Sequence, residues 1–167
     1  MLEFETKYHS KGKSLIAGID EVGRGPLCGP VLAASVIFPK EIKIYGITDS
    51  KKLSKKKREI LYSRIKEKAL HIGIGVVHGN EIDKINILNA TMEAMRLSIK
   101  DLDVEPDMLL VDGNIKSLTD IPQESIIRGD SKSLSIAAAS IIAKVTRDRM
   151  MQQYDIIYPG YGFSRNM

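Results

Sequence analysis

Three apolar runs in this chain each close on an acid, and that pattern restricts the folds open to it more than any other feature. "LIAGID" (15–20) ends on Asp20 with Glu21 beside it, "MLLVD" ends on Asp112, and "ESIIRGD" ends near Asp130. A short buried strand does not place charge where its core closes unless something there offsets the desolvation. In open α/β sheets the crevice beyond the carboxyl ends of the strands is where ligands bind. On a regular strand neighbouring side chains point to opposite faces, so Asp20 and Glu21 converge only if the strand stops there. Gly23 and Gly25 permit that bend. Simpler readings stand beside this one: Asp112, before Gly113 and Asn114, as a turn residue, and Asp130 as the N-cap of the helix that follows.

The rest of the chain alternates strands and helices. "VLAASVIF" (31–38), closed by Pro39, is a second strand, joined to the first closely enough for an antiparallel pair. After a polar loop (48–53), Ser54 caps a helix with Leu53, Ile60, Leu61 and Ile65 on one face. "HIGIGVV" (71–77) is a third strand, with glycines where a neighbouring backbone can come close. A helix over 85–100 carries Ile87, Leu88, Met92, Met95 and Ile99 as its apolar stripe. "SLSIAAASIIAKVTRDRMMQQY" is a long helix whose alanines at 137, 138, 139 and 143 let it lie close on a sheet. No repeat or low-complexity linker interrupts the 167 residues, which fit one domain. The class is α/β, a mixed five-stranded β-sheet flanked by helices.

Composition narrows the chemistry. Cys28 is the single cysteine, which fits a reducing cytoplasm, and one cysteine with histidines only at 9, 71 and 78 argues against a structural zinc site. No apolar run is long enough to span a membrane, and the first residues carry no secretory pattern. Any metal must then be held by oxygen, which favours Mg2+ or Mn2+. Four carboxylates in one crevice cannot all stay ionised without a cation. Two divalent ions about 4 Å apart, bridged by a shared acid, would resolve the repulsion and clamp both the attacking and leaving oxygens of a phosphodiester. They would also acidify a bound water, so no histidine is needed as base. The net charge is +4, and "SKKLSKKKREILYSRIKEK" holds nine Lys/Arg against two Glu. Its lysines 55, 56 and 57 crowd the positive end of a helix dipole. Two readings remain: a solvated helix face, or a surface for a polyanion such as nucleic acid.

Taken in order, "GIDEVGRGPLCGPVLAA", "TDSKKLS", "INILNATMEAM", "VDG" and "RGDSKSLSIAAASIIAKVTRDRMM" resemble bacterial and archaeal ribonuclease HII. The resemblance implies a ribonuclease H-like fold. It also implies an endonuclease that cuts the RNA strand of RNA–DNA hybrids and cuts at single ribonucleotides embedded in duplex DNA, leaving a 3′-hydroxyl and a 5′-phosphate. By the same resemblance Asp20, Glu21, Asp112 and Asp130 are the catalytic metal ligands, and the backbone of Gly23, Arg24 and Gly25 reads the ribose 2′-hydroxyl. Ser50 and Lys51 would touch the nucleic-acid backbone near the cut, a plain polar loop being the alternative. Arg24 separates the chain from the sister group, ribonuclease HIII, whose extra N-terminal domain finds no room in the roughly fourteen residues before the first strand. After "YPGYGFSRN" the family continues with a Lys-Gly-Tyr segment and a helical tail, whereas this sequence stops at Met167. The expectation is a single catalytic domain over 1–167 without that tail: metal binding is kept and recognition of embedded sites is weakened. The alternative is a catalytically weak or inactive hybrid-binding fragment. The expected partners are RNA–DNA hybrid and ribonucleotide-containing duplex DNA, with no membrane, the protein itself being a monomer.

Overall fold

The structure, a computed structural model, describes residues 1–47, 50 and 53–166. Its sheet has five strands: β1 Ile16–Val22, β2 Val31–Ile37, β3 His71–Val77, β4 Met108–Asp112 and β5 Gln123–Ile126. Their spatial order is β3-β2-β1-β4-β5. The first three strands form an antiparallel meander, and β4 and β5 add in parallel on the other side of β1. The helices are α1 Glu3–His9, α2 Lys55–Lys68, α3 Gly79–Lys100 and α4 Leu134–Ile157. Among the described residues no helix is long and apolar enough to cross a membrane.

Alternation along the strands divides the core in two. Leu32, Ala34 and Val36 of β2 pack with α2 and α4, while Val31, Ala33 and Ile37 face the other way with α3. In β1 the same rule sends Ala17 and Ile19 toward α3. Gly18 faces α4 so closely that a Cβ there would lie 2.1 Å from the Ser135 carbonyl carbon. Opposite α3, Cβ atoms at Gly73 and Gly75 would lie 2.1 and 2.0 Å from the carbonyl oxygens of Ser98 and Ala94.

That close approach corrects the expected stripe of α3. Small residues, Ala90, Thr91, Ala94 and Ser98, turn inward with Met95 and Ile99, while Ile87 and Leu88 are 38% and 46% exposed. The helix also begins earlier than expected, at Gly79, and kinks at Asn86 (φ 67°), whose side chain accepts from the amides of Leu88 and Asn89. On α2, Ser54 caps as expected by accepting from the Lys57 amide, and Leu53, Leu61 and Ile65 are buried. Ile60 is 47% exposed and leaves the predicted face.

Helix α1 was not anticipated. Its anchor is a polar side chain: buried Glu5 accepts through Oε1 from Ser133 Oγ, Ser135 Oγ and the Ser135 amide. A carboxylate at the N-terminus of α4 meets the positive end of that helix's dipole.

Candidate active site

Helix α4 and strand β1 run side by side in the same direction. Gly18 meets Ser135 and Asp20 meets Ser140; five helical residues rise about 7.5 Å and two strand residues about 6.8 Å. The match keeps the two elements in step, so Ser135 and Ser140 meet β1 and Arg147 meets the loop after it.

Asp20 therefore faces α4 and is buried. β1 does not stop at Asp20, as the sequence reading required: it pairs with β2 as far as Val22. What ends is its other partner, since pairing with β4 stops at Ile19 opposite Val111. Beyond that point the sheet is open on one side, and Asp20 and Glu21 line one cavity despite their alternation. Asp112, the last residue of β4, lines it too, and Gly129 donates its amide to Asp112 Oδ1 at 2.6 Å. That bond ties the end of β4 to the segment bearing Asp130.

Asp130 reaches the cavity by a route the sequence did not reveal. β5 ends at Ile126 rather than near Asp130, Arg128 takes a left-handed conformation (φ 56°), and Gly129–Ser131 form a 3-10 turn. The N-cap of α4 is Ser133, so the capping alternative for Asp130 is set aside.

The cavity has a volume of about 410 Å³. Burial holds the Asp20 carboxyl well above the usual carboxylate range, and the charges of Glu21 and Asp112 push the same way against hydrogen bonds from Ser140 and the Glu21 amide. Burial raises Glu21 as well, opposed by Arg24, whose Nη1 lies 3.4 Å from Glu21 Oε1. Among the described residues no three His, Cys, Asp or Glu side chains are already drawn together tightly enough to hold an ion by themselves. The donor set around the cavity is all oxygen, with carboxylates from three separate stretches, and a cation would reverse both the burial cost and the mutual repulsion of the acids. The residues fit a hard divalent ion.

Gly23, Arg24 and Gly25 form the rim next to Glu21. Ser50 is buried, lines the cavity and shares a hydrogen bond with Ser140 Oγ at 2.8 Å, while Arg58 Nη1 donates to its carbonyl. Lys51 lies outside the described residues. Three polar lining residues were missed by sequence reasoning: Ser140, Lys144 and Arg147. They recur at i, i+4 and i+7 on one face of α4, a spacing that could have singled them out.

The ribonuclease HII family model matches residues 17–166. Ribonuclease HII of Enterococcus faecalis (strain ATCC 700802 / V583) is 57% identical over 166 residues, 99% of this chain and 65% of that protein. Its counterpart from Listeria innocua serovar 6a is 53% identical over 167 residues, 100% of this chain and 64% of that protein. The chain thus spans just under two thirds of the length of these curated relatives. Among solved structures, ribonuclease H2 from Pyrococcus horikoshii OT3 superposes with a TM-score of 0.77 at 27% identity, covering 89% of this chain and 79% of that one. The fold is accordingly ribonuclease H-like. With the match running from the second residue of β1 to the last described residue, this chain belongs to the ribonuclease HII family.

Proposed function

We propose that this chain is a single metal-dependent catalytic domain that hydrolyses the RNA strand of RNA–DNA hybrids and cuts duplex DNA at embedded ribonucleotides. The observation that carries this reading is the meeting of Asp20, Glu21, Asp112 and Asp130 along one cavity. Family membership supports the reaction class.

Asp20 and Asp112, on neighbouring strands, are the proposed core ligands, with Glu21 and Asp130 completing the set from the strand end and the 3-10 turn. Magnesium is commonly held by one or two carboxylates plus waters and substrate phosphates, which suits acids that line a cavity without enclosing it. When bound, a pair of Mg2+ or Mn2+ ions supplies an acidified water for attack and charge stabilisation for the leaving 3′-oxygen, giving 3′-hydroxyl and 5′-phosphate ends. Ser140 orients Asp20 by hydrogen bonding and also holds Ser50, the residue proposed to touch the nucleic-acid backbone near the cut. The main chain of Gly23, Arg24 and Gly25 meets the sugar, where a 2′-hydroxyl separates RNA from DNA. Exposed Lys55, Lys56 and Lys57 lie at the start of α2, close in sequence to Ser50, and add attraction for phosphates. The protein acts as a monomer, and its lone cysteine suits a reducing cytoplasm.

The test is a cleavage assay on an end-labelled RNA–DNA hybrid, a duplex with one embedded ribonucleotide and an all-DNA duplex. Each is run with Mg2+, with Mn2+ and with chelator. Metal-dependent cutting confined to the first two substrates is expected. Hybrid binding without a product in either metal would establish the binding fragment instead, and cutting of all-DNA duplex would point to another nuclease class.

A further inference from the structure

Arg147 borders the cavity of the acids and is the largest fully buried side chain among the described residues. Buried arginines ordinarily face a carboxylate. The hydrogen bonds of this one go to main-chain carbonyls: Nε donates to Pro30 O, Nη2 to Cys28 O and Nη1 to Asn166 O, each at 3.0 Å. The neighbouring acid, Asp148, is paired with Lys144 at 2.8 Å. A planar guanidinium with five donors in a fixed fork can satisfy three carbonyls from two segments at once, which no apolar side chain of that volume could do.

The glycines confirm how tightly the loop is built on this group. Gly23 (φ +101°) and Gly29 (φ +92°) both hold conformations that side chains rarely adopt. A Cβ at Gly23 would lie 2.7 Å from Arg147 Nε, and one at Gly29 would lie 3.1 Å from Arg147 Nη2. The guanidinium thus borders the space where side chains would stand at both ends of the loop, sharing it with the Pro30 carbonyl oxygen at Gly23 and with Met151 at Gly29. Between those ends the loop has little packing of its own: Arg24 and Gly25 are exposed and Leu27 is 99% exposed.

We infer that Arg147 is a positioning residue for substrate selection, clamping the loop over residues 23–30 so that the main chain of Gly23, Arg24 and Gly25 stands at a fixed distance from the acids. The inference rests on the reading that this loop meets the ribose. The clamp also joins the loop to the C-terminal segment through Asn166, so that the two move as one.

The experiment measures affinity for an RNA–DNA hybrid and for a DNA duplex of the same sequence, by fluorescence anisotropy in chelator. Chelator keeps both strands whole, and any repulsion from the acids applies to both duplexes, so the ratio isolates the sugar. Arg147→Met is expected to lower the hybrid preference about tenfold, the scale of losing one charge-assisted contact. Mn2+ affinity measured by calorimetry is expected to stay within about twofold of wild type, because the acids sit on β1, β4 and the turn after β5. An unchanged ratio overturns the inference, as does a parallel loss of ratio and Mn2+ affinity, which would make Arg147 a general strut. If Arg147→Met does not fold, Arg147→Lys decides: it keeps the charge but cannot reach three carbonyls with a planar fork, and an intact ratio there overturns the inference. Wild type with no hybrid preference sinks the ribose reading itself.

Discussion

Replacing Gly18 with alanine tests whether the contact between β1 and α4 sets the geometry of the site. The new Cβ would lie 2.1 Å from the Ser135 carbonyl carbon and 2.3 Å from the Ile136 nitrogen. Ordinary contact begins at 3.4 Å, so the helix backbone must retreat by 1.3 Å. It is poorly placed to do so, because Glu5 ties Ser133 and Ser135 to helix α1. A retreat of that size along the whole helix would stretch the 2.8 Å bond between Ser140 and Ser50 to about 4.1 Å, beyond hydrogen-bond reach. Overpacking costs about 1–3 kcal/mol and a lost buried hydrogen bond about 1 kcal/mol, so the expected destabilisation is about 2–4 kcal/mol. Urea unfolding is the assay: the midpoint should fall with the slope unchanged. Gly79→Ala, where a Cβ would meet nothing within 4 Å, serves as the control and should stay within about 0.5 kcal/mol of wild type. A Gly18→Ala midpoint equal to that control would refute the reasoning.

Asp20→Asn is expected to stabilise the metal-free protein at neutral pH. Burial raises the folded-state pKa of Asp20 above its unfolded value, so the unfolded chain binds fewer protons between the two and stability falls as pH rises through that window. The gain is about 1.4 kcal/mol for each tenfold change in the acid constant and should vanish below the ordinary carboxylate range; a wild type melting above the variant at pH 7 contradicts it. Asp112→Asn should abolish metal-dependent cleavage, by about a thousandfold or more, with a much smaller effect on hybrid binding; equal losses of both would count against the metal role. Arg24→Ala should lower the preference for ribose-containing over all-DNA duplex. Its stability should change by under about 0.5 kcal/mol, since its ion pair with Glu21 is partly exposed; an unchanged ratio of the two rates would rule out a part for the Arg24 side chain in that preference.

The acids were legible in the sequence because charge at the end of an apolar run has few structural excuses, and β1 and β4 deliver Asp20 and Asp112 where that logic puts them. The route by which they meet was not. Asp20 and Glu21 share a cavity because β4 falls away from β1 after Ile19, an event in a partner strand that no local pattern records. Asp130 follows a left-handed Arg128 and a short turn, so its run reads as one strand although it is two elements. The inward face of α3 was misjudged for a related reason. Hydrophobic periodicity favours large residues, but the glycines of β3 bring the helix so near that only small ones fit. Helix α1 escaped notice because its one buried side chain, Glu5, is an acid whose partners lie at Ser133 and Ser135. Of the candidate site, Lys51 alone lies outside the described residues, and Ser140 and Arg147 emerged only once α4 was seen beside β1 and its loop.

The most direct measurement is anomalous diffraction from crystals of this chain soaked in Mn2+. The account predicts peaks inside the cavity, within about 2.0–2.6 Å of carboxylate oxygens of Asp20 and Asp112, with Glu21 or Asp130 contributing to the same sites. Manganese bound elsewhere on the protein, with that cavity left without a peak, would contradict it.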